Sequence, residues 1–182
     1  MSDYIQTRTG RLYWAEPERY TFTVQEIAES LSRICRFNGH LGWESVATHS
    51  IRVARAVGHM PPRVQLAALL HDAHEAYIGD IPGPLLRAGL AGPLVAVGRG
   101  IQSAIIAQLA PMCRGLSCAQ VEAIDSADRA DCATTLAVGA SACGSDLPGE
   151  AKRFLALYGQ LARECAVLPL PDGGAQKTGA DD

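Results

Sequence analysis

Lysine is almost missing from this chain: Lys152 and Lys177 are the two lysines among 16 basic residues in a length of 182. Base-composition bias accounts for that shortage, and arginine also suits phosphate recognition. With 19 acidic residues the net charge is −3, so there is no bulk positive field to hold a nucleic-acid polymer. No C-x-x-C pair occurs among the six cysteines, Cys35, Cys113, Cys118, Cys132, Cys143 and Cys165. Several fall on apolar helix faces, where a reduced thiol behaves as a small hydrophobe. No apolar run approaches the length that spans a membrane, and "MSDYIQTRTGRLYW" is too polar for a signal peptide. These absences set the expectation of a protein of the reducing cytoplasm (a host's, if the source is viral) with no membrane or nucleic-acid-polymer partner.

Alternating β-type patterning, internal repeats and linkers are absent as well. The apolar spacing is helical almost throughout, which predicts an all-α, compact bundle of about six or seven helices. One domain is expected over residues 1–168, and "PLPDGGAQKTGADD" from about 169 to 182 has the composition of a disordered tail. "TVQEIAESLSRICRF" opens with a capping box of Thr23 and Glu26 and is predicted as a helix carrying Val24, Ile27, Ala28, Leu31, Ile34 and Cys35 on one face. The next helix carries Val46, Ser50, Val53, Ala54 and Val57. Pro61 and Pro62 then start one predicted to continue past His71 as far as Gly79. "DIPGPLLRAGLAGP" is predicted as loop with at most one short turn. Further helices are expected from Pro93, from Ser117 to about Val138, and from about Glu150 to Val167.

Charge appears where core belongs. "LAALLHDAHEAYIGDIP" begins apolar and runs into His71, Asp72, His74, Glu75 and Asp80. On a helical wheel Asp128 falls in the middle of a face made by Val121, Ile124, Cys132 and Leu136. A lone buried carboxylate costs several kcal/mol, on the order of the transfer penalty for an ion, unless it is paired. A buried ion pair or a helix cap would explain Asp128 alone. Convergence argues for more, because His49, His71 with Asp72, and Asp128 come from three helices. A single divalent cation satisfies all four, since imidazole nitrogen with carboxylate oxygen suits Mn, Fe, Co, Ni or Zn.

"ATHS", "LLHDAHE" and "SADRAD" together resemble the H…HD…D signature of the HD-domain metal-dependent phosphohydrolases. "HDAHEAYIGDIPGP" and "RFNGH…ESVATHS" are similar to segments of its 5′-deoxynucleotidase branch, which includes phage dATP triphosphohydrolases. The resemblance covers roughly Ser32 to Leu136. It implies His49, His71, Asp72 and Asp128 as ligands of one divalent ion (Co, Mn, Zn, Mg, Fe or Ni), with a second ion compatible with a polyphosphate substrate. It implies that Glu75 positions or deprotonates the attacking water, and that Asp80 acts near the scissile phosphate and sugar. It places Arg36 on phosphate and Phe37 against the base, with Pro82 as a second wall and His74 as a further substrate contact, and it implies a homo-oligomer.

Plainer roles stand beside these: Glu75 as the partner of His71, Asp80 as a turn carboxylate, Phe37 as core, His74 as a solvated helix residue. Two departures bear on the phosphate contacts. Relatives often carry Lys where Leu86 stands, with Arg87 next, and the interval from "RFNGH" to His49 is two residues shorter than in bacterial mononucleotidases. The expected function is hydrolysis of a deoxynucleotide at the α-phosphate, foremost of dATP or another dNTP to deoxynucleoside and triphosphate. A dNMP phosphatase, a non-catalytic nucleotide-binding protein and a purely structural bundle remain as alternatives.

Overall fold

The computed structural model describes residues 3–139 and 147–167; Cys143 and the tail expected from 169 lie outside these. Among the described residues the protein is predominantly all-α, with eight α-helices and a two-stranded hairpin. Helices α1 (Val24–Leu31), α2 (Val46–Ala56) and α3 (Pro62–Leu69) pack with α8 (Leu147–Val167), and α7 (Cys118–Val138) lies on α2 and α3. Phe154 and Leu161 of α8 are buried with Ile27, Leu31, Val53, Leu66 and Leu69 in one continuous core. Ser117 caps α7 reciprocally, its hydroxyl accepting from the Gln120 N–H while the Gln120 side chain accepts from the Ser117 N–H.

Three expectations are corrected. The hairpin, β1 (Tyr4–Gln6) with β2 (Arg11–Tyr13), is real structure where no strand was expected; three-residue strands are too short for alternation to register. It is fastened by Glu26, whose buried carboxylate accepts from the Arg8 and Thr9 N–H groups and from the Tyr20 hydroxyl. Glu26 therefore does not close the capping box, although its own N–H does bond the Thr23 hydroxyl at 3.2 Å.

The helix through the HD dipeptide is not continuous either. It stops at Leu69, passes through turns, and resumes as α4 (Glu75–Ile78). Short i→i+3 bonds carry the chain across, from His71 to Ala68, Ala73 to Leu70 and Glu75 to Asp72. Side chains supply what the broken ladder lacks. Gln102, from α6 (Gly92–Leu109), donates to the Leu70 carbonyl at 2.7 Å and accepts from the His74 N–H at 3.1 Å. This break and the short helix α5 (Gly83–Arg87) raise the helix count above the six or seven expected.

The third correction concerns α7. Val121 and Leu136 are exposed, whereas Ile124 and Thr135 are buried. The wheel centred on Asp128 was rotated: the inward stripe also carries Asp131, and Asp128 sits at its edge with a side chain 40% exposed.

Candidate metal centre

Ser45 caps α2, its hydroxyl accepting from the Thr48 N–H, and the helix carries His49 into the core, 1% exposed. His71 comes from the turn after α3, its ring centroid 5.1 Å from that of His49. Both rings are fixed the same way. The Nδ1 of His49 lies 2.7 Å from Asp131 Oδ2, and that of His71 lies 2.8 Å from the Ala68 carbonyl. An ionised carboxylate and a carbonyl only accept, so both Nδ1 atoms hold the proton and donate. In its neutral form each ring would therefore present its Nε2 lone pair inward. Neither Nε2 finds a hydrogen bond there, although both are fully buried.

Carboxylates face these lone pairs. Asp72 Oδ2 is 3.0 Å from His71 Nε2 and 3.5 Å from His49 Nε2, and Asp128 Oδ1 is 3.1 Å from His49 Nε2. Ligand atoms of His49, His71 and Asp72 all fall within 4.8 Å of one another, close enough to share one ion. A cluster made only of acceptors demands a positive centre. Burial works against charge on His49, yet the carboxylates of Asp128, Asp131 and Asp72 outweigh it and push its pKa up to about 10. His71 is raised against its burial by Asp72, and Asp72 is held well below the usual carboxylate range by the two imidazoles despite its own burial. A divalent cation answers the same demand as those protons, and the oriented imidazoles are the donor set that such ions take.

Behind His49 lies a network that the sequence did not announce. Arg52 holds Asp131 with two bonds, Nε to Oδ1 at 2.6 Å and a second nitrogen to Oδ2 at 2.9 Å. Arg52 and Arg36 both pair with Glu44, at 2.8 and 2.7 Å, and Thr135 donates to the same carboxylate. Asp131 is thereby turned onto the imidazole, and its own pKa is depressed far below the usual range: His49 and Arg52 overcome its burial. The available signal was the i, i+3 spacing of Asp128 and Asp131 in "SADRAD", matched by His49 and Arg52 on α2.

The centre opens into a pocket of about 490 Å³ lined by Arg36, Phe37, Asp72, Glu75, Asp80, Pro82 and Asp128, so seven expected site residues meet in one place. Arg36 is less free than expected, being buried against Glu44 with its guanidinium 5.0 Å from the Phe37 ring centroid. Phe37 and Asn38 both adopt left-handed backbone, at φ 55° and 52°, a costly arrangement for non-glycine residues of the kind found at binding sites. Burial pushes Glu75 up to about 10, with the charges of Asp72 and Asp80 adding to it. Burial raises Asp80 too, opposed by Arg36 and by a bond from the Phe37 N–H. No ion pair joins Glu75 to His71 among the described residues. His74 faces elsewhere: it lies over α6, where Gly98 has no side chain to obstruct it, and burial lowers its pKa. His40 and His59 are exposed.

No family model matches the chain. It is 42% identical over 86 residues to the uncharacterised protein YfdR of Escherichia coli K12, a match covering 46% of this chain and 47% of that protein. An uncharacterised protein of Rhodobacter capsulatus is 38% identical over 82 residues, or 41% of this chain and 42% of the other. The chain thus spans about half the length of the curated relatives it matches. No helix among the described residues is long and apolar enough to cross a membrane.

Proposed function

We propose that the protein is a metal-dependent phosphohydrolase of deoxyribonucleotides that cleaves the ester between the α-phosphorus and the 5′-oxygen. One observation carries this reading: two buried imidazoles, each with Nδ1 committed to an acceptor, aim unpartnered Nε2 atoms at Asp72 and Asp128. Four such donors would hold a divalent ion and leave positions open toward the pocket. The ion would supply Lewis acidity toward a phosphoryl oxygen and toward water.

The chain's own groups would do the rest. Glu75 lines the pocket with Asp72, and burial with the charges of Asp72 and Asp80 favours its protonated form; a bound cation would oppose that and let it exchange a proton with water. Asp80, at the rim and partly buried, is placed to pass a proton to the departing 5′-oxygen or to hold the sugar. Phe37 and Pro82 give the pocket apolar walls for a base. A homo-oligomer and a second ion belong to the same reading only through the resemblance of the motifs.

The test is a panel of dNMPs, dNTPs and ribonucleotides assayed with Mn, Co, Mg and Zn, scoring nucleoside and phosphate products separately. Metal-dependent release of deoxynucleoside is expected. Its absence with every metal and substrate, from folded protein shown to bind metal, would leave a nucleotide-binding protein instead.

A further inference from the structure

We propose that Gly98 of α6 is a positioning residue for Glu75: its bare backbone seats the His74 ring and so fixes the one-turn helix α4 that presents Glu75 to the pocket. The proposal rests on the reading that Glu75 serves a metal-dependent phosphohydrolase.

A helix as short as α4 closes too few hydrogen bonds to hold itself, so its neighbours set its place. On one flank α1 fastens it. Ser30 Oγ donates to the Ala76 carbonyl at 2.8 Å, and the Tyr77 hydroxyl donates to Glu26 at 3.4 Å. The Tyr77 ring also packs edge-on against Phe22, with centroids 5.4 Å apart. On the other flank α6 supplies Gln102, which accepts from the His74 N–H. One turn earlier on the same face of α6 stands Gly98, buried.

Glycine is a poor helix former, and close approach of a neighbour is what its place in the middle of α6 allows. A Cβ at position 98 would stand 2.8 Å from His74 Cδ2 and 2.9 Å from Ile78 Cδ1. Carbon atoms pack at about 3.5–4.0 Å, so both neighbours would have to move. They are not equally free to do so. Ile78 meets the position with its terminal methyl, which a change of rotamer takes aside. His74 meets it with a rigid ring, on a residue whose N–H is tied to Gln102 and whose successor is Glu75. Retreat of α4 toward α1 is opposed by the bonds at Ala76 and Tyr77. A methyl group at 98 is therefore felt at Glu75. His49, His71 and Asp72 are not among the nearest neighbours of that methyl and keep their places.

The control lies two residues on. A Cβ at Gly100, also in α6, would meet Pro17 Cγ at 3.7 Å, an ordinary contact.

The experiment compares the full chain with Gly98→Ala, with Gly100→Ala, and with Gly98→Ala combined with His74→Ala, which removes the ring but keeps the N–H. The substrate is a nucleotide that the metal and substrate panel shows to be hydrolysed with Mn. Gly98→Ala is expected to lower kcat at least about tenfold, since a displacement of about 1 Å can cost a hundredfold. KM and Mn affinity should each stay within about threefold, a split that loss of packing alone does not produce. Gly100→Ala should leave kcat as it was, and the double variant should regain most of what Gly98→Ala loses. An unchanged kcat in Gly98→Ala, an equal loss in Gly100→Ala, a matching loss of Mn affinity, or no rescue overturns the proposal. Where Gly98→Ala does not fold, the double variant decides: folded, with kcat near the original, it supports the seat, and anything less refutes it. If no nucleotide is hydrolysed at all, the proposed activity has failed, and crystal structures of the original chain and Gly98→Ala judge the seat. A Glu75 Cα displaced by at least about 0.5 Å relative to His49 and His71 supports it, and a smaller displacement refutes it.

Discussion

Glu26 and Asp72 are carboxylates drawn into the interior of the same bundle, but their neighbours are of opposite kinds. Around Glu26 every partner is a donor: the Arg8 and Thr9 N–H groups at 3.0 and 3.3 Å, and the hydroxyls of Thr9, Tyr20 and Tyr77 at 3.2, 2.7 and 3.4 Å. Around Asp72 the neighbours are two imidazoles whose protons are committed on their far sides, together with Asp128. A buried carboxylate surrounded by donors is complete and ties elements together. One surrounded by lone pairs is incomplete until a positive charge joins it. The two carboxylates thus differ in whether the fold alone satisfies them.

Substitutions should separate the two carboxylates along different axes. On the proposed function Mn raises the Tm of the original chain, and Asp72→Ala is expected to abolish that rise and to lower the proposed metal-dependent turnover by about three orders of magnitude. A variant that keeps both would remove Asp72 from the ligand set. Glu26→Ala should do the reverse, costing about 3 kcal/mol in urea denaturation because hydroxyl and backbone donors lose their acceptor, while metal affinity stays within about twofold. An equal loss of affinity in the two variants would dissolve the distinction.

Asp131 tests the contrast from behind, since it is the acceptor that leaves the His49 Nε2 bare. Asp131→Asn keeps the shape but removes the charge that Arg52 and His49 both use. Metal affinity by calorimetry is expected to drop about 10- to 100-fold, as for other partners of ligating imidazoles. Unchanged affinity would mean that packing alone orients the ring.

The cluster of His49, His71 and Asp72 was legible because these residues interrupt apolar helical spacing, whereas Asp128 was placed in the middle of its face and lies at the edge. The all-α class was legible for the same reason, through periodicity. What periodicity cannot register is a partner that lies far away in sequence. Glu26 has capping-box spacing from Thr23, and nothing local reveals that its carboxylate turns instead to a hairpin 17 residues earlier. Asp131 drew no notice in the sequence, because the partners that give it a role, His49 and Arg52, come from α2. The wheel drawn for α7 treated Val121 and Leu136 as core, yet both are exposed; Leu136 lines the pocket, and single apolar residues such as Val121 are common on protein surfaces.

The break in the helix before Asp72 was hidden by the same blindness to distance, and it sets the smallest effect to measure. Intact helical spacing would have stacked Glu75 directly over His71. Instead the chain tightens after Leu69, and Gln102 on α6 takes over two backbone groups that the helix would have satisfied itself. Gln102→Leu retains much of the volume but leaves the Leu70 carbonyl and the His74 N–H without that partner. The expected cost is about 1–2 kcal/mol in urea denaturation. Metal affinity should weaken only a fewfold, since Gln102 touches neither imidazole directly. If stability falls and affinity does not move, the turn is rigid without its clip and Gln102 belongs with Glu26 among the fastenings. If affinity falls further than stability, the turn itself is what holds His71 and Asp72 in register, and the incomplete cluster depends on a complete one beside it.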